Sequence, residues 1–415
     1  MTKMRWIAAL TAIAISAATA AGCGAATRPP QRPAAVLTSG QVAALRDYGT
    51  GDTAFGLNVL STLCARRPRA NAVISPVSLA TGLGMAFLGA RGRTAAAMAR
   101  VLHLPTARLG RVNGLRARSA LLRSLDSPGV TFTTSNRIWT DPTLSTRRGF
   151  VAALRSAYQA GLTHLPLLSA PEQARSRINA AIAADTRGHI PNLLPPGSLS
   201  EPPIGWVLTD ALYLNARWQR PFEHALTRPG SFAAAGGQVT AKYLDGGPFT
   251  LAGAAGWTAV ALPYRGGRLS MLALLPPTGG SGGCQLPDMR AVSALSSRLA
   301  GSKSVTDVML PKVSLAASES LQDVLTSLGM GIAFSGGADF SGLSPQACCI
   351  GFVQHAATLA VAEKGTIASA ATAVGMEPSA AHVSLAFDRP YLLMLRDSLT
   401  GEPLMLAWVA NPAAG

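Results

Sequence analysis

Helical patterns come early in this chain, and strand patterns come late. Residues Thr94 to His103 and Pro171 to Ala184 have the spacing of helices. Trp206 to Leu214 and Leu269 to Leu275 have the pattern of strands, and Pro276-Pro277 ends the second strand. This order indicates an α+β fold with helices packed on a largely antiparallel sheet, because alternating βαβ units would interleave the two patterns.

The composition allows one large hydrophobic core. Of 415 residues, 48% are hydrophobic and 13% are charged, which excludes intrinsic disorder, since a disordered chain is poor in apolar residues. Five cysteines in so long a chain exclude a small disulfide scaffold. No internal repeat and no second linker divides residues 42–413, so we predict a single domain there.

Residues 1–22 have the features of an export signal. A basic start precedes an apolar stretch, Trp6 to Ala18, that is too short to span a bilayer, and small residues then lead into Cys23. This arrangement resembles a bacterial lipoprotein cleavage box, with Cys23 as the lipidated residue. The alternative is an ordinary secretory signal that is cut after Ala18-Thr19-Ala20.

Both alternatives take the protein out of the cytoplasm. Residues 23–41 are rich in proline and form a tether, and a lipid on Cys23 anchors the chain to a membrane. We therefore predict an extracellular or cell-surface location with a lipid anchor. In that compartment disulfides can form, and their pairing stays open among Cys64, Cys284, Cys348 and Cys349.

The motifs of common enzymes are absent or incomplete. No lysine follows a glycine, as a phosphate-binding loop requires, and no histidine begins H-E-x-x-H. Gly279 to Gly283 matches G-x-S-x-G, but two prolines precede it and no apolar helix follows, so we predict a flexible loop. Cys348 with His355 nearby is a weak nucleophile candidate. We predict no catalytic residue, no metal and no cofactor.

A long segment near the C-terminus, Glu363 to His382, separates two apolar runs. It is too long for a hairpin turn. Its side chains are too small for a core strand, and it carries too little charge for a solvated linker. Connections of this length without structure are usually functional or disordered. A mobile Ala/Ser-rich loop accounts for its composition but not for the sequences on either side of it.

A set of further motifs occurs in a fixed order around this segment. In chain order they are Asn71 to Ala80 (NAVISPVSLA), Gly89 to Thr94 (GARGRT), Ile178 to Ile190, Leu212 to Phe222 (LYLNARWQRPF), Leu310-Pro311-Lys312, Ala338 to Ser341 (ADFS), His355, Asp388 to Tyr391 (DRPY) and Asn411-Pro412. Together they resemble the serpin family, and the resemblance spans about residues 42–413.

The resemblance implies a serpin fold and a suicide-substrate mechanism. An exposed reactive loop acts as bait, a serine protease cleaves it and forms a covalent acyl complex, and the loop then inserts as a strand into a large sheet. The native fold therefore holds stored free energy. The expected partner is a serine protease, and the inhibitor is expected to be a monomer. A non-inhibitory binding protein on the same fold is the alternative, and a hydrolase is third.

The family pattern places the reactive bond at Ser379-Ala380. Counting forward from the hinge glycine gives 365 + 14 = 379, and counting back from Pro390 gives 390 − 11 = 379. A serine before the bond suits the shallow primary pocket of an elastase-like or subtilisin-like protease. It does not suit a trypsin-like pocket.

The residues of the loop hinge have small, uncharged side chains, as insertion requires. They are Gly365, Thr366, Ala368, Ser369, Ala370 and Ala371. In an inserted strand, alternate side chains point to opposite faces. Those expected to face inward are Thr366, Ala368, Ala370, Thr372, Val374 and Met376. Those expected to face outward are Ile367, Ser369, Ala371, Ala373, Gly375 and Glu377.

The family pattern also marks a region where the sheet opens. Its residues are Ser75, Ser78, Asp210, Trp218 and His355. Asp210 stands where serpins usually have asparagine. A buried carboxylate there, paired with a charged His355, would make loop insertion pH-sensitive near neutrality. The alternative is a carboxylate that hydroxyl groups satisfy, with no switching role.

Arginines cluster where some serpins bind polyanions. They are Arg108, Arg111, Arg116, Arg118 and Arg123, with Arg66, Arg67 and Arg69 expected nearby. Such a groove would bind sulfated glycans, nucleic acid or an anionic surface. The alternative is a solvated, arginine-rich surface without a ligand, within a chain whose net charge is 36 − 20 = +16.

Overall fold

The computed structural model describes residues 38–105, 108–200, 205–279, 283–351, 353–366 and 384–414. These described residues belong to one compact unit. In the described ranges, no helix has both the length and the apolar character that crossing a membrane requires. The α-helices are α1 (Ser39–Arg66), α2 (Pro76–Phe87), α3 (Gly92–Val101), α4 (Arg108–Arg123), α5 (Arg148–Tyr158), α6 (Pro171–Asp185), α7 (Met289–Gly301) and α8 (Gln322–Leu325).

The strands build two sheets. They are β1 (Ala72–Ile74), β2 (Val130–Thr140), β3 (Leu162–His164), β4 (Trp206–Arg217), β5 (Arg228–Ala234), β6 (Gly237–Ala254), β7 (Trp257–Pro263), β8 (Leu269–Leu275), β9 (Val305–Pro311), β10 (Val313–Ser320), β11 (Gln354–Ala362), β12 (Gly365–Thr366), β13 (Ser384–Ala386), β14 (Tyr391–Asp397) and β15 (Pro403–Val409). One sheet has six strands in the order β10-β11-β12-β4-β2-β3. The other has nine, in the order β1-β15-β14-β8-β7-β6-β9-β13, with β5 paired to β6.

The sheets are mixed. Most neighbouring strands are antiparallel, whereas β11–β4, β2–β3 and β9–β13 are parallel. Helices that pack on large, mostly antiparallel sheets confirm the predicted fold class. The predicted strand at residues 269–275 is β8. The helix predicted to end at His103 is α3, which ends at Val101 because His103 has a left-handed backbone with φ 48°.

Strand β4 of the six-stranded sheet is buried on both faces. Trp206 and Leu208 belong to the core cluster that also contains helix α2, while Val207 and Ala211 pack with helix α6. A strand that is covered on both sides is apolar throughout rather than alternating, which explains its continuous hydrophobic run. Helix α2 begins at Pro76, and the side chain of Ser75 caps its first turn.

Candidate functional site: the loop hinge and the sheet opening

The first two residues of the predicted hinge, Gly365 and Thr366, lie inside the six-stranded sheet. Thr366 is paired with Val361 of β11 and with Ala216 of β4, and both pairings are antiparallel. Lower in the sheet, β11 and β4 pair directly with each other, at His355 and Asp210 among others. The two-residue strand β12 therefore occupies a gap at one end of two strands that close on each other further down.

Only glycine fits at position 365. Its φ is 151°, and a Cβ atom there would lie 2.0 Å from the carbonyl oxygen of Ala216. Any other side chain would push β12 away from β4. The predicted hinge glycine is thus required by the close approach of the two backbones.

The side chain of Thr366 is held in the core. It is 1% exposed, and its Oγ1 lies 2.5 Å from the hydroxyl oxygen of Tyr264. The ring of Tyr264 stacks on Trp218 with 4.3 Å between ring centroids. Trp218 in turn donates from Nε1 to the carbonyl of Ala362, at 2.9 Å. The side chain of Thr366 therefore points inward in the native sheet, and Trp218 lies beside it.

The turn that precedes the hinge is fixed by Glu363. Its carboxylate accepts hydrogen bonds from Lys312 Nζ at 2.8 and 2.9 Å and from the hydroxyl of Thr227 at 3.1 Å, and it contacts the ring of His224. Burial disfavours its charged form, but the hydrogen bonds of Lys312 and His224 outweigh burial and hold the pKa of Glu363 at about 2. The position at which the segment leaves β11 is therefore anchored by an ion pair.

The predicted opening region comes together where β4, β11 and the start of α2 meet. Ser78 Oγ donates to Asp210, and the backbone N–H of Ser75 donates to His355 Nε2 at 3.0 Å. His355 Nδ1 lies 3.9 Å from Asp210 Oδ1. Ser75 Oγ also donates to the carbonyl of Leu404, at 2.7 Å. Four of the predicted residues thus form one buried polar group.

The hypothesis that His355 is charged is wrong. His355 Nε2 accepts a hydrogen bond and is unprotonated, and burial lowers the pKa of His355 to about 4. Burial also raises the pKa of Asp210 to about 7, although the Ser78 hydroxyl and the charge of Arg118 oppose this shift. Titration near neutrality therefore belongs to the carboxyl group, not to the imidazole.

The rest of the predicted loop lies outside the described residues. This applies to the hinge residues Ala368, Ser369, Ala370 and Ala371, to the reactive bond Ser379-Ala380, and to Cys23. Glycines 279 and 283 are described, but the serine between them is not.

The five arginines of the predicted polyanion site belong to helix α4, but Arg118 is buried and its place in that site is wrong. Arg118 is 1% exposed and forms ion pairs with Asp52 and Glu402, so it cannot contact a ligand in solvent. Arg116 and Arg123 are exposed on α4, and Arg116 donates to Ser156 of α5. Arg108 and Arg111 belong to the same helix, and their side chains lie outside the described part.

One disulfide joins distant parts of the chain. Cys64 in α1 is bonded to Cys284, which precedes α7, across a sequence separation of 220. Cys348 and Cys349 are free, and burial together with its neighbour Cys348 raises the pKa of the Cys349 thiol to about 11. A thiol with so high a pKa is a poor nucleophile.

Sequence reasoning missed Tyr264 as a hinge residue. Tyr264 follows β7, and 102 positions separate it from Thr366. No local pattern marks a tyrosine as the partner of a distant threonine. The ion pair between Lys312 and Glu363 was also missed, although Lys312 lies in one of the motifs that carry the resemblance and Glu363 begins the long C-terminal segment.

Comparison with known proteins agrees with this geometry. The model of the family described as "Serpin (serine protease inhibitor)" matches residues 50–412. Serpin B6 from Macaca fascicularis is 31% identical over 380 residues, which cover 86% of this chain and 97% of that protein. Leukocyte elastase inhibitor from Bos taurus is 29% identical over 384 residues, which cover 89% and 100%.

Solved structures share the fold. Human thyroxine-binding globulin in complex with thyroxine superposes with a TM-score of 0.76 at 22% identity, over 89% of this chain and 99% of that one. Uncleaved ovalbumin gives a TM-score of 0.73, also at 22% identity, over 88% and 100%. The chain belongs to the serpin family, whose family description names the inhibition of serine proteases.

Proposed function

We propose that this serpin is a suicide-substrate inhibitor of elastase-like or subtilisin-like serine proteases. The protease serine attacks the carbonyl carbon of Ser379, the bond to the nitrogen of Ala380 breaks, and an acyl ester forms. The freed loop then enters the six-stranded sheet and carries the attached protease with it. The single observation that supports this proposal is the strand β12, which sits between β11 and β4 in the orientation that insertion would continue.

The register of β12 defines where each later residue would go. Thr366 pairs with Val361 and Ala216. In an antiparallel pair the two residue numbers have a constant sum. This sum is 366 + 361 = 727 for partners in β11 and 366 + 216 = 582 for partners in β4. Ala368 would then lie beside residues 359 and 214. Ala370 would lie beside residues 357 and 212. These four neighbours are buried, so the gap between β11 and β4 can accommodate only small inward side chains.

The same register brings Thr372 to the sheet opening. Its partners would be 727 − 372 = 355 and 582 − 372 = 210, which are His355 and Asp210. These two residues now pair directly in the parallel ladder. Full insertion therefore has to separate them and place a threonine between them.

A denaturing gel tests the proposal. We expect a stable complex after incubation with an elastase-like or subtilisin-like protease. We also expect a released C-terminal fragment whose mass shows that it begins at Ala380. Two variants introduce the same arginine side chain on opposite faces of the inserted strand. Ala368→Arg points inward and should give only cleaved protein, whereas Ile367→Arg points outward and should retain the complex.

The outcomes separate the alternatives. Cleaved protein without complex in the wild type would contradict inhibition and favour the non-inhibitory alternative. Equal behaviour of Ala368→Arg and Ile367→Arg would contradict insertion in this register. Turnover of an ester substrate without added protease would favour a hydrolase.

We also propose that the inhibitor is exported and lipid-anchored through Cys23. The support is the sequence of residues 1–23, with its basic start, short apolar stretch and small residues before the cysteine. Replacing Cys23 by serine should move the protein from the membrane fraction to the soluble exported fraction. Wild-type protein in the soluble fraction would support the ordinary secretory signal instead.

A further inference from the structure

A buried charged cluster, which the insertion mechanism does not use, joins three parts of the fold. Arg118 of α4 donates through Nη2 to Asp52 of α1, and through Nε to Glu402, at 2.7 Å. Glu402 lies just before β15, in the turn that follows β14. All three side chains are at most 2% exposed. Water therefore does little to screen the charges of this cluster.

The polar atoms of the cluster imply a bound proton. Two carboxyl groups face a single guanidinium, so the cluster would carry a net charge of −1 if both were ionised. Arg118 donates to one oxygen of each carboxyl group. Among the described residues, the buried Glu402 Oε2 has no hydrogen-bond partner. A buried carboxyl oxygen that no donor reaches favours the protonated, uncharged form of the group.

We propose that Asp52, Arg118 and Glu402 share one proton at neutral pH and act as a proton-dependent latch that fixes α4 to α1 and to the β14–β15 turn. With the proton, the cluster is electrically neutral. Without it, an uncompensated negative charge remains in an apolar environment, and the attachment of α4 weakens.

The groups that face Asp52 support this assignment. Burial raises the pKa of Asp52 well above its ordinary value, Arg118 opposes that shift, and the carboxyl of Glu402 adds to it. Burial likewise works against the charged guanidinium, but Asp52 and Glu402 raise the pKa of Arg118. The other titratable groups that interact with Arg118 are the phenol of Tyr158 in α5 and the carboxyl group of Asp210 in β4. Tyr48 of α1 lies close to Tyr158. Burial raises the pKa of Tyr158, so its phenol carries no charge at neutral pH.

The latch is also attached to the sheet opening. Arg118 Nη2 donates to the carbonyl of Val77 at 3.2 Å, and the next residue, Ser78, donates to Asp210. The charge of Arg118 also lowers the pKa of Asp210. A weakened latch would therefore disturb the first turn of α2, which holds Asp210 in place.

Infrared spectroscopy of the full chain tests the shared proton. An ordinary carboxyl group, with a pKa of about 4, is ionised at about pH 7.5. In the variant Asp210→Asn, which removes the other raised carboxyl, we expect the carbonyl band of one protonated carboxylic acid at this pH. The band should disappear when Asp52→Asn or Glu402→Gln is added. It should remain when Asp185→Asn, a half-buried ion-pair control, is added instead.

Hydrogen exchange tests the latch without depending on the second variant. In Asp210→Asn, the protection of the α4 amides, corrected for intrinsic exchange, should fall over the pH range in which the infrared band disappears. A missing band, a band that survives both Asp52→Asn and Glu402→Gln, or α4 protection that is unchanged while the band disappears would each overturn the proposal.

Discussion

Asp210 and His355 face each other across β4 and β11, and their perturbed pKa values act on stability in opposite directions. The pKa of Asp210 rises to about 7 from an ordinary value of about 4, so the native state binds the extra proton and its stability falls as pH rises through this range. The pKa of His355 falls to about 4 from an ordinary value of about 6.5, so native stability rises over that range.

Two variants separate these contributions. Relative to the wild type, Asp210→Asn should become more stable as pH rises from about 4 to about 7, and His355→Gln should become less stable. Each difference should change the unfolding equilibrium constant by at most about tenfold per pH unit. Urea unfolding at a series of pH values measures both. Differences of the same sign for the two variants would contradict the assigned protonation states.

The hydrogen bond between Tyr264 and Thr366 holds the hinge in the sheet. The substitution Tyr264→Phe removes one buried hydroxyl and keeps the stacking on Trp218. It should lower the free energy that holds Thr366 in the sheet by about 1 kcal/mol. We expect the amide of Thr366 to exchange roughly five times faster with deuterium. Tyr243→Phe is the control, because its hydroxyl donates to Ser231 far from the hinge in sequence. Equal exchange in both variants would exclude a specific role for Tyr264.

At the scale of elements, the disulfide between Cys64 and Cys284 ties the end of α1 to the segment before α7. The bond closes a loop across a separation of 220 residues, and loops of this length are expected to add at most about 5 kcal/mol by restricting the unfolded chain. Cys64→Ser should therefore lower the urea midpoint substantially. Cys348→Ser, which removes a free thiol, should leave the midpoint unchanged. Equal midpoints for wild type and Cys64→Ser would contradict a stabilising bond.

Elements with strong periodicity were predictable, and pairings across the chain were not. Helix α6 and strand β8 follow from local spacing, and the hinge glycine follows from an ordered set of motifs. The surface placement of Arg118 failed because its partners, Asp52 and Glu402, are distant in sequence. The charge of His355 could not be predicted either, since it depends on burial and on a backbone donor from Ser75.

At the scale of the whole molecule, the six-stranded sheet is incomplete in its native form. Strands β11 and β4 pair with β12 at one end and with each other at the other end. In the described ladders, residues 357–360 and 212–215 pair only on their outer sides, with β10 and β2. A cleaved loop that fills this gap gains hydrogen bonds on both edges, so the cleaved protein should be more stable than the native one.

Thermal unfolding of native and cleaved protein tests how far the loop enters. Cleaved wild type should unfold roughly 10 °C or more above the native form, because several added hydrogen bonds each contribute about 1 kcal/mol. Thr372→Arg would place a charge between His355 and Asp210 and should lose most of this gain. Ala373→Arg carries the same charge on the outward face and should keep it. If both variants keep the full gain, the loop does not pass between Asp210 and His355.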